Sequence, residues 1–386
     1  MSAPLRLVQV GAGAMGRAWL DAIARSNDAE LVGLVDLDPS VAEAALAARG
    51  IEVPIAADAV ELARRTGADA VVNVTVPSAH LPVNLAALDA GFAVLCEKPV
   101  TPTVRDALIL TAAAEVTGTL LMVSQSRRYY AALATLRARA AELGTIGLLS
   151  TEFMRAPRFG GFREEMDHPL LVDMAIHGFD VARYLLGSAP VSVSCQSFNP
   201  LWSWFRGDAA ATALFEFEEG VRFQYVGSWV APGLETSWNG SWRIGGSDGT
   251  ATWDGEDEVV VQSGSRGPER LVVAPAAAES IDGSLADFAH VVRSGGSPAS
   301  GEIHDNVLTL AMVEAAVRST ASGTRVEIAR LVDEAWQEAL AARLAEDHRA
   351  AMRGWGSAAE HLGLVRPSRA DLPGVQPERT PEATSV

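Results

Sequence analysis

The stretch Gly11-Ala12-Gly13-Ala14-Met15-Gly16 constrains this chain more than any other, because of what stands on either side of it. A β-branched and apolar run over 5–10 precedes it, and an Ala-rich segment of helical period over 14–25 follows. A G-x-G-x-x-G string alone is a weak signal; between a strand and a helix it reads as the phosphate turn of a dinucleotide site. Gly11 permits the tight turn, Gly13 lets a pyrophosphate approach the backbone, and Gly16 lets the helix lie close to the strand. The helix, opened by Ala14 and Met15, offers unpaired N–H groups and a partial positive charge to the phosphates. Asp36 ends the next apolar run, over 31–35, where a carboxylate accepts hydrogen bonds from ribose hydroxyls and repels a 2′-phosphate. It therefore favours NAD over NADP, with Arg17 the residue that works against this preference.

The same alternation continues to about residue 125. Apolar runs over 70–74, 93–96 and 120–123 read as further strands, and segments over 40–48, 59–65, 80–90 and 104–117 as the helices between them. This pattern predicts a parallel sheet covered by helices, an α/β Rossmann domain over 1–125. After Gly144 the rhythm changes to strands joined by short turns, over 149–154, 191–198, 211–217, 221–230, 241–244, 249–253 and 258–262. One helical segment, over 171–186, interrupts them, and two more follow over 284–293 and 304–320. The expectation is an α+β substrate-binding domain over 126–328, its mostly antiparallel open sheet carrying helices on one face. A charged helical extension over 329–364 and a Pro-, Ser- and Thr-rich tail over 365–386, expected to be disordered, complete the chain.

Composition narrows the partners. The formal charge is −17 and no basic stripe exists, so a nucleic-acid partner is not expected. No apolar run approaches the ~20 residues of a bilayer span, and the N-terminus lacks the pattern of a signal peptide. The two cysteines, Cys96 and Cys195, lie far apart in apolar surroundings, which fits buried thiols in a reducing, cytoplasmic compartment. No His, Cys, Asp and Glu set has metal-ligand spacing, so no metal is expected.

Two further groups carry chemistry. Glu97-Lys98-Pro99 ends a strand on the edge where open α/β sheets hold ligands. A lysine there can stabilise negative charge on a reacting oxygen, although a surface lysine after a strand is the ordinary alternative. Asp173 and His177 stand four residues apart on a helix, hence on one face. Imidazole titrates near neutrality, which suits a base taking a hydroxyl proton as hydride leaves; a solvated helix face or a satisfied core histidine are the alternatives.

Taken in order, these motifs resemble the glucose–fructose oxidoreductase/inositol dehydrogenase family, Gfo/Idh/MocA. The likeness rests on Gly11–Gly16, Glu97–Pro99 and Asp173–His177, with Asn73-Val74-Thr75-Val76-Pro77-Ser78-Ala79-His80 and Arg127-Arg128-Tyr129 similar to the family's cofactor loop and basic-aromatic turn. It runs from about Leu5 to Ile328. The resemblance implies NAD-dependent oxidation of a secondary hydroxyl on a sugar, glycoside or cyclitol. His177 would be general base, Lys98 a charge-stabilising relay and Asp173 a substrate anchor. Thr75, Pro77, His80, Glu97 and Lys98 would line the cofactor beside Gly11, Gly13, Ala14, Met15, Gly16 and Asp36. It also implies a homo-oligomer paired through the open sheet. The extension after Ile328 departs from plainer members, either covering a neighbouring subunit or adding nothing to catalysis.

For the substrate pocket, Trp238 is the leading candidate among Trp202, Trp204, Trp229, Trp238 and Trp242, since an indole face stacks on a sugar ring while the others fit core or interface roles. Arg155, Arg158 and His168 are polar candidates that also read as surface charges. Two alternatives share these residues. Some relatives are glycosidases that use nicotinamide transiently, with no net redox change. Others bind the dinucleotide only to regulate a partner, having lost the catalytic groups that are present here.

Overall fold

A computed structural model of the protein describes residues 3–365. Its first sheet is parallel and six-stranded: β1 (Leu5–Val10), β2 (Ala29–Val35), β3 (Ile55–Ala56), β4 (Ala70–Asn73), β5 (Ala93–Cys96) and β6 (Leu121–Val123), in the order β3-β2-β1-β4-β5-β6. Between them run α1 (Ala14–Arg25), α2 (Pro39–Ala47), α3 (Ala59–Thr66), α4 (Pro77–Asp89) and α5 (Val104–Thr117). Strand order reverses between β1 and β4, which opens a crevice at the carboxyl ends of the strands. Strands buried on both faces explain the unbroken apolar runs: Leu7, Val8, Val71, Val94 and Leu95 are wholly enclosed. The sequence shows no sign of β3, because two residues carry no period. The fourth helix begins three residues earlier than the periodicity predicts, with Pro77 in its first turn, where a missing N–H costs nothing.

The second sheet has nine strands: β7 (Ile146–Met154), β8 (Pro190–Phe198), β9 (Ala210–Phe217), β10 (Arg222–Ser228), β11 (Ser241–Gly246), β12 (Gly249–Trp253), β13 (Glu258–Ser263), β14 (Glu269–Val272) and β15 (Val326–Glu327). All neighbours are antiparallel except β7 and β10. One face is covered by α6 (Ala131–Ala140), α7 (Ile176–Leu186) and α9 (Ile303–Ser322). Phe179 of α7 meets Phe215 at 4.7 Å and Tyr225 at 5.4 Å, both edge-on. The opposite face carries the half-exposed Leu148 and Leu214. The helix expected over 171–186 has two parts, because Leu170–Ala175 is wound as a π-helix before α7 begins.

Helix α8 (Ser280–Ser294) differs from expectation, since it leaves the second sheet and lies on the first. One face of the parallel sheet presents Leu5, Leu7, Val72 and Leu95, and α1 alone does not cover it. Leu285, Phe288 and Ala289 of α8 join Trp19 and Ile23 of α1 over these strands. Ion pairs Arg25–Asp282 at 2.7 Å and Arg293–Asp28 at 3.2 Å flank the contact.

The extension forms three helices, α10 (Ile328–Ala341), α11 (Glu346–Gly354) and α12 (Ala358–His361). Helices α10 and α11 pack on α5 of the same chain, so the extension covers its own parallel-sheet half. The helical run breaks after α10, where Arg349 of α11 donates to the carbonyls of Leu340 and Ala342 at 2.6 and 3.1 Å. The tail expected to be disordered lies, from residue 366 on, outside the described residues.

A buried charge network ties the turn after β6 to the second half. Arg128 donates to both oxygens of Asp180, at 2.7 and 2.6 Å, and reaches Asp305 at 3.2 Å. Thr309 donates to Asp180 at 3.0 Å. The Arg128 and Asp180 side chains are only 9% and 2% exposed, so removing one partner leaves a charge in low dielectric. Asp180→Ala is expected to lower unfolding free energy by about 3–5 kcal/mol in denaturant titration. A loss below about 1 kcal/mol, the value of an exposed pair, would show that the network is solvated.

Candidate active site

The glycine turn has the geometry its sequence predicts. Gly11 has a φ of +103°, and a Cβ there would stand 2.7 Å from the carbonyl oxygen of Val74. A Cβ on Gly16 would collide with the Gly11 carbonyl. Around Gly13 nothing lies within 4 Å of a built Cβ, which leaves its backbone open to a phosphate. No side chain caps α1, so its first N–H groups remain available. Gln9, unremarked in the sequence, braces the turn by donating to the carbonyls of Gly11 and Gly16 at 2.8 Å. Asp36 accepts the Ala12 N–H at 2.8 Å and the Asp38 N–H at 3.0 Å, which fixes its carboxylate beside the turn. Ala14 and Met15 are exposed on the first turn. This cradle fits NAD: a bare helix N-terminus, an open approach at Gly13 and an acidic side chain at the end of β2.

The ends of β4 and β5 form the rest of the edge. Asn73 accepts from the Thr75 hydroxyl at 2.7 Å, which holds Thr75 at the rim, and Pro77 starts α4 beside it. His80 is fully enclosed, with Nδ1 2.7 Å from the Pro99 carbonyl and Nε2 3.1 Å from that of Thr75. It therefore works behind the edge, joining the two loops, rather than presenting a surface to a ligand. Glu97 is also buried, accepting from Trp19 Nε1 at 2.8 Å and from the Lys98 N–H at 3.0 Å. Burial pushes the Glu97 carboxyl up, against the pull of these donors and of the Lys98 ammonium.

Lys98 reaches from this edge to the π-wound segment before α7. Its Nζ donates to the Asp173 carbonyl at 2.7 Å and to Asp173 Oδ1 at 2.9 Å. Arg163 donates to Asp173 Oδ2 at 2.6 Å, so both carboxylate oxygens are engaged. Burial disfavours the Asp173 charge, but Lys98 and Arg163 outweigh it and hold the carboxyl below its usual range. His177 makes no hydrogen bond among the described residues, and its Nδ1 is buried without a partner. Burial first, then the Arg127 and Lys98 charges, push its imidazole well below the usual value. It is therefore neutral at physiological pH. Arg127 is itself buried, which lowers it to about 10 while leaving it cationic.

Sequence reasoning missed Arg163 and gave Arg127 no role of its own. Arg163 follows Gly160-Gly161 in a single short 3-10 turn, Gly161–Glu165, too brief to show a period, so its nearness to two glycines was the one signal. It links the charged centre to aromatic rings, its guanidinium lying 5.4 Å from the centre of Phe159. Phe159 approaches Trp238 at 6.3 Å and Trp229 at 5.3 Å. Arg155 lies 4.6 Å over Trp238 and donates to the Thr236 carbonyl at 2.9 Å. Arg158 lies 4.0 Å over Trp204. His168 faces Ser197 Oγ at 3.3 Å and Asp208 at 3.5 Å. Trp238 keeps 39% of its surface exposed, whereas Trp229 and Trp242 are core residues.

Residues 5–125 match the model described as "Oxidoreductase family, NAD-binding Rossmann fold", and residues 134–252 match that of the GFO/IDH/MocA C-terminal domain. The chain is 31% identical to D-apiose dehydrogenase of Paraburkholderia graminis over 84% of its own length and 90% of that protein. It is 32% identical to inositol 2-dehydrogenase of Rhizobium meliloti over 49% of this chain and 57% of the relative. In fold it is similar to an oxidoreductase from Agrobacterium radiobacter solved with NAD+, L-tartaric acid and magnesium, with a TM-score of 0.78, 22% identity, and coverage of 85% of this chain and 99% of that one. By sequence, fold and the nucleotide cradle at its glycine turn, the chain belongs to the Gfo/Idh/MocA family of NAD-binding oxidoreductases.

Proposed function

We propose that the chain is an NAD-dependent dehydrogenase that oxidises a secondary hydroxyl of a sugar, glycoside or cyclitol. The observation that carries this reading is His177, a neutral, partly enclosed imidazole with an unpartnered Nδ1, close to the Lys98–Asp173 pair at the sheet edge. Gly11, Gly13, Ala14, Met15, Gly16, Asp36, Thr75, Pro77, Glu97 and Lys98 would hold the dinucleotide, whose nicotinamide supplies the hydride acceptor. His177 takes the hydroxyl proton. The cations that weaken it as a base also favour negative charge on the substrate oxygen, so the same field acidifies the hydroxyl. Asp173, held by Lys98 and Arg163, orients Lys98 and anchors ring hydroxyls. Trp238, with Arg155, Arg158 and His168, would form the substrate wall, in line with relatives named as D-apiose and inositol dehydrogenases. Free, buried Cys96 and Cys195 support a cytoplasmic setting, and no helix among the described residues is long and apolar enough to cross a membrane. The apolar Leu148 and Leu214 on the open face support pairing of two copies through that sheet.

The test is absorbance of reduced nicotinamide with NAD and a panel of aldoses, inositols and glycosides, with His177→Ala in parallel. One substrate is expected to give net reduction, and the variant to lose about 10²–10⁴-fold in kcat while still binding NAD. Glycoside cleavage without net reduced cofactor would replace this reading with the redox-neutral hydrolase. Because His177 is lowered, it stays neutral until pH falls through its depressed value. The acid limb of kcat/KM should therefore lie below the ordinary imidazole value of about 6.5 and vanish in His177→Ala. A limb at or above neutrality would rule out His177 as the base. Asp36→Ala, which removes the charge that repels a 2′-phosphate, should shift the NAD/NADP ratio of kcat/KM by about tenfold or more toward NADP. An unchanged ratio would mean that Asp36 does not face the ribose.

A further inference from the structure

Away from the active site, three helices far apart in sequence bring two imidazoles and a carboxylate to one point. Glu115 lies in the last turn of α5, His304 in the first turn of α9 and His361 at the end of α12. His304 Nε2 stands 2.8 Å from Glu115 Oε1, and His361 Nε2 stands 2.6 Å from the same oxygen. All three candidate donor atoms lie within 4.8 Å of one another, and no other three such side chains converge this way among the described residues.

The surroundings fix these groups as ligands are usually fixed. His304 Nδ1 faces Glu302 Oε1 at 2.8 Å, the carboxylate–histidine contact that places the proton on Nδ1 and turns the Nε2 lone pair outward. Trp355 Nε1 donates to Glu115 Oε2 at 2.8 Å, which leaves Oε1 to face the two imidazoles. The Trp355 ring also stacks on His361, with centroids 4.6 Å apart and planes 11° from parallel. With Nδ1 held by Glu302, the Nε2 of His304 is directed at Glu115 Oε1, and the Nε2 of His361 meets the same oxygen, so the three atoms converge on one position.

We propose that Glu115 Oε1, His304 Nε2 and His361 Nε2 bind a divalent transition-metal ion of the zinc class, with solvent in the fourth position. Imidazole and carboxylate are the donors zinc accepts, at about 2.0–2.2 Å. Tetrahedral ligands at that radius stand about 3.3 Å apart, so Glu115 Oε1 has to draw back from each imidazole by roughly half an ångström or slightly more. The ion would fasten α12 and the start of α9 to α5, clasping the extension to the parallel-sheet half. Sequence spacing gave no hint of it, since residues 115, 304 and 361 share no local motif.

The test uses the full-length, untagged protein, stripped with a chelator and then titrated with Zn2+ by calorimetry and with Co2+ by visible absorption. One Zn2+ per chain should bind with micromolar or tighter affinity, raise the melting temperature, and give a tetrahedral Co2+ spectrum. His361→Gln and, separately, His304→Gln should each weaken Zn2+ binding at least tenfold while NAD binding is retained. Far-UV circular dichroism confirms that each variant is folded, and His361, at the molecular surface, is the substitution better tolerated. Absence of saturable Zn2+ binding would overturn the proposal. So would binding that neither substitution weakens, because the ion would then sit elsewhere.

Discussion

The Lys98 ammonium spans the two halves of this molecule, leaving the end of β5 and docking on both the carbonyl and the carboxylate of Asp173. An unpaired ammonium and carboxylate at this depth would each be costly, so the pair fixes how the parallel-sheet edge meets the π-wound segment. The rest of the centre depends on that junction. Arg163 takes the carboxylate oxygen that Lys98 leaves open, and His177 lies a turn further along the same helical run. Behind the junction, Glu97 is anchored by Trp19 and by the Lys98 N–H, while His80 holds the neighbouring loops. Positive charge thus gathers at the sheet edge, around the Asp173 carboxylate.

The π-winding of Leu170–Ala175 changes the meaning of the Asp-x-x-x-His spacing. On a regular α-helix the two side chains would lie directly over one another. Here the wider turn lets Asp173 present its backbone carbonyl as well as its carboxylate to Lys98. Such local departures from α geometry recur at functional sites, and the sequence carries no mark of this one.

Much of the first half was legible because its signals are local. Strands such as Leu5–Val10 and Ala93–Cys96, and helices such as Ala14–Arg25, are marked by composition, period and neighbouring glycines. The glycine turn and Asp36 were readable for the same reason. What stayed hidden depends on contacts between distant segments. Neither the docking of α8 on the first sheet nor the approach of Arg163 to Asp173 has a local signature. Helix α6 buries Leu133 and Leu136, but its mixture of Ala and Arg gives almost no period. The convergence of Glu115, His304 and His361 is hidden in the same way, because each residue is unremarkable on its own helix.

The return of α8 to the parallel sheet has a consequence for the order in which this protein acquires its structure. During synthesis the first six strands emerge well before residues 280–294, which supply part of the cover for Leu5, Leu7, Val72 and Leu95. Until that segment leaves the ribosome, one side of the nascent sheet remains partly bare and open to unwanted association. The closing contacts span more than 250 residues, as between Arg25 and Asp282, so completing this half waits on loop closures that are entropically expensive and slow. The glycine turn is read early in the sequence, but the sheet that supports it is finished among the last parts of the chain to be made.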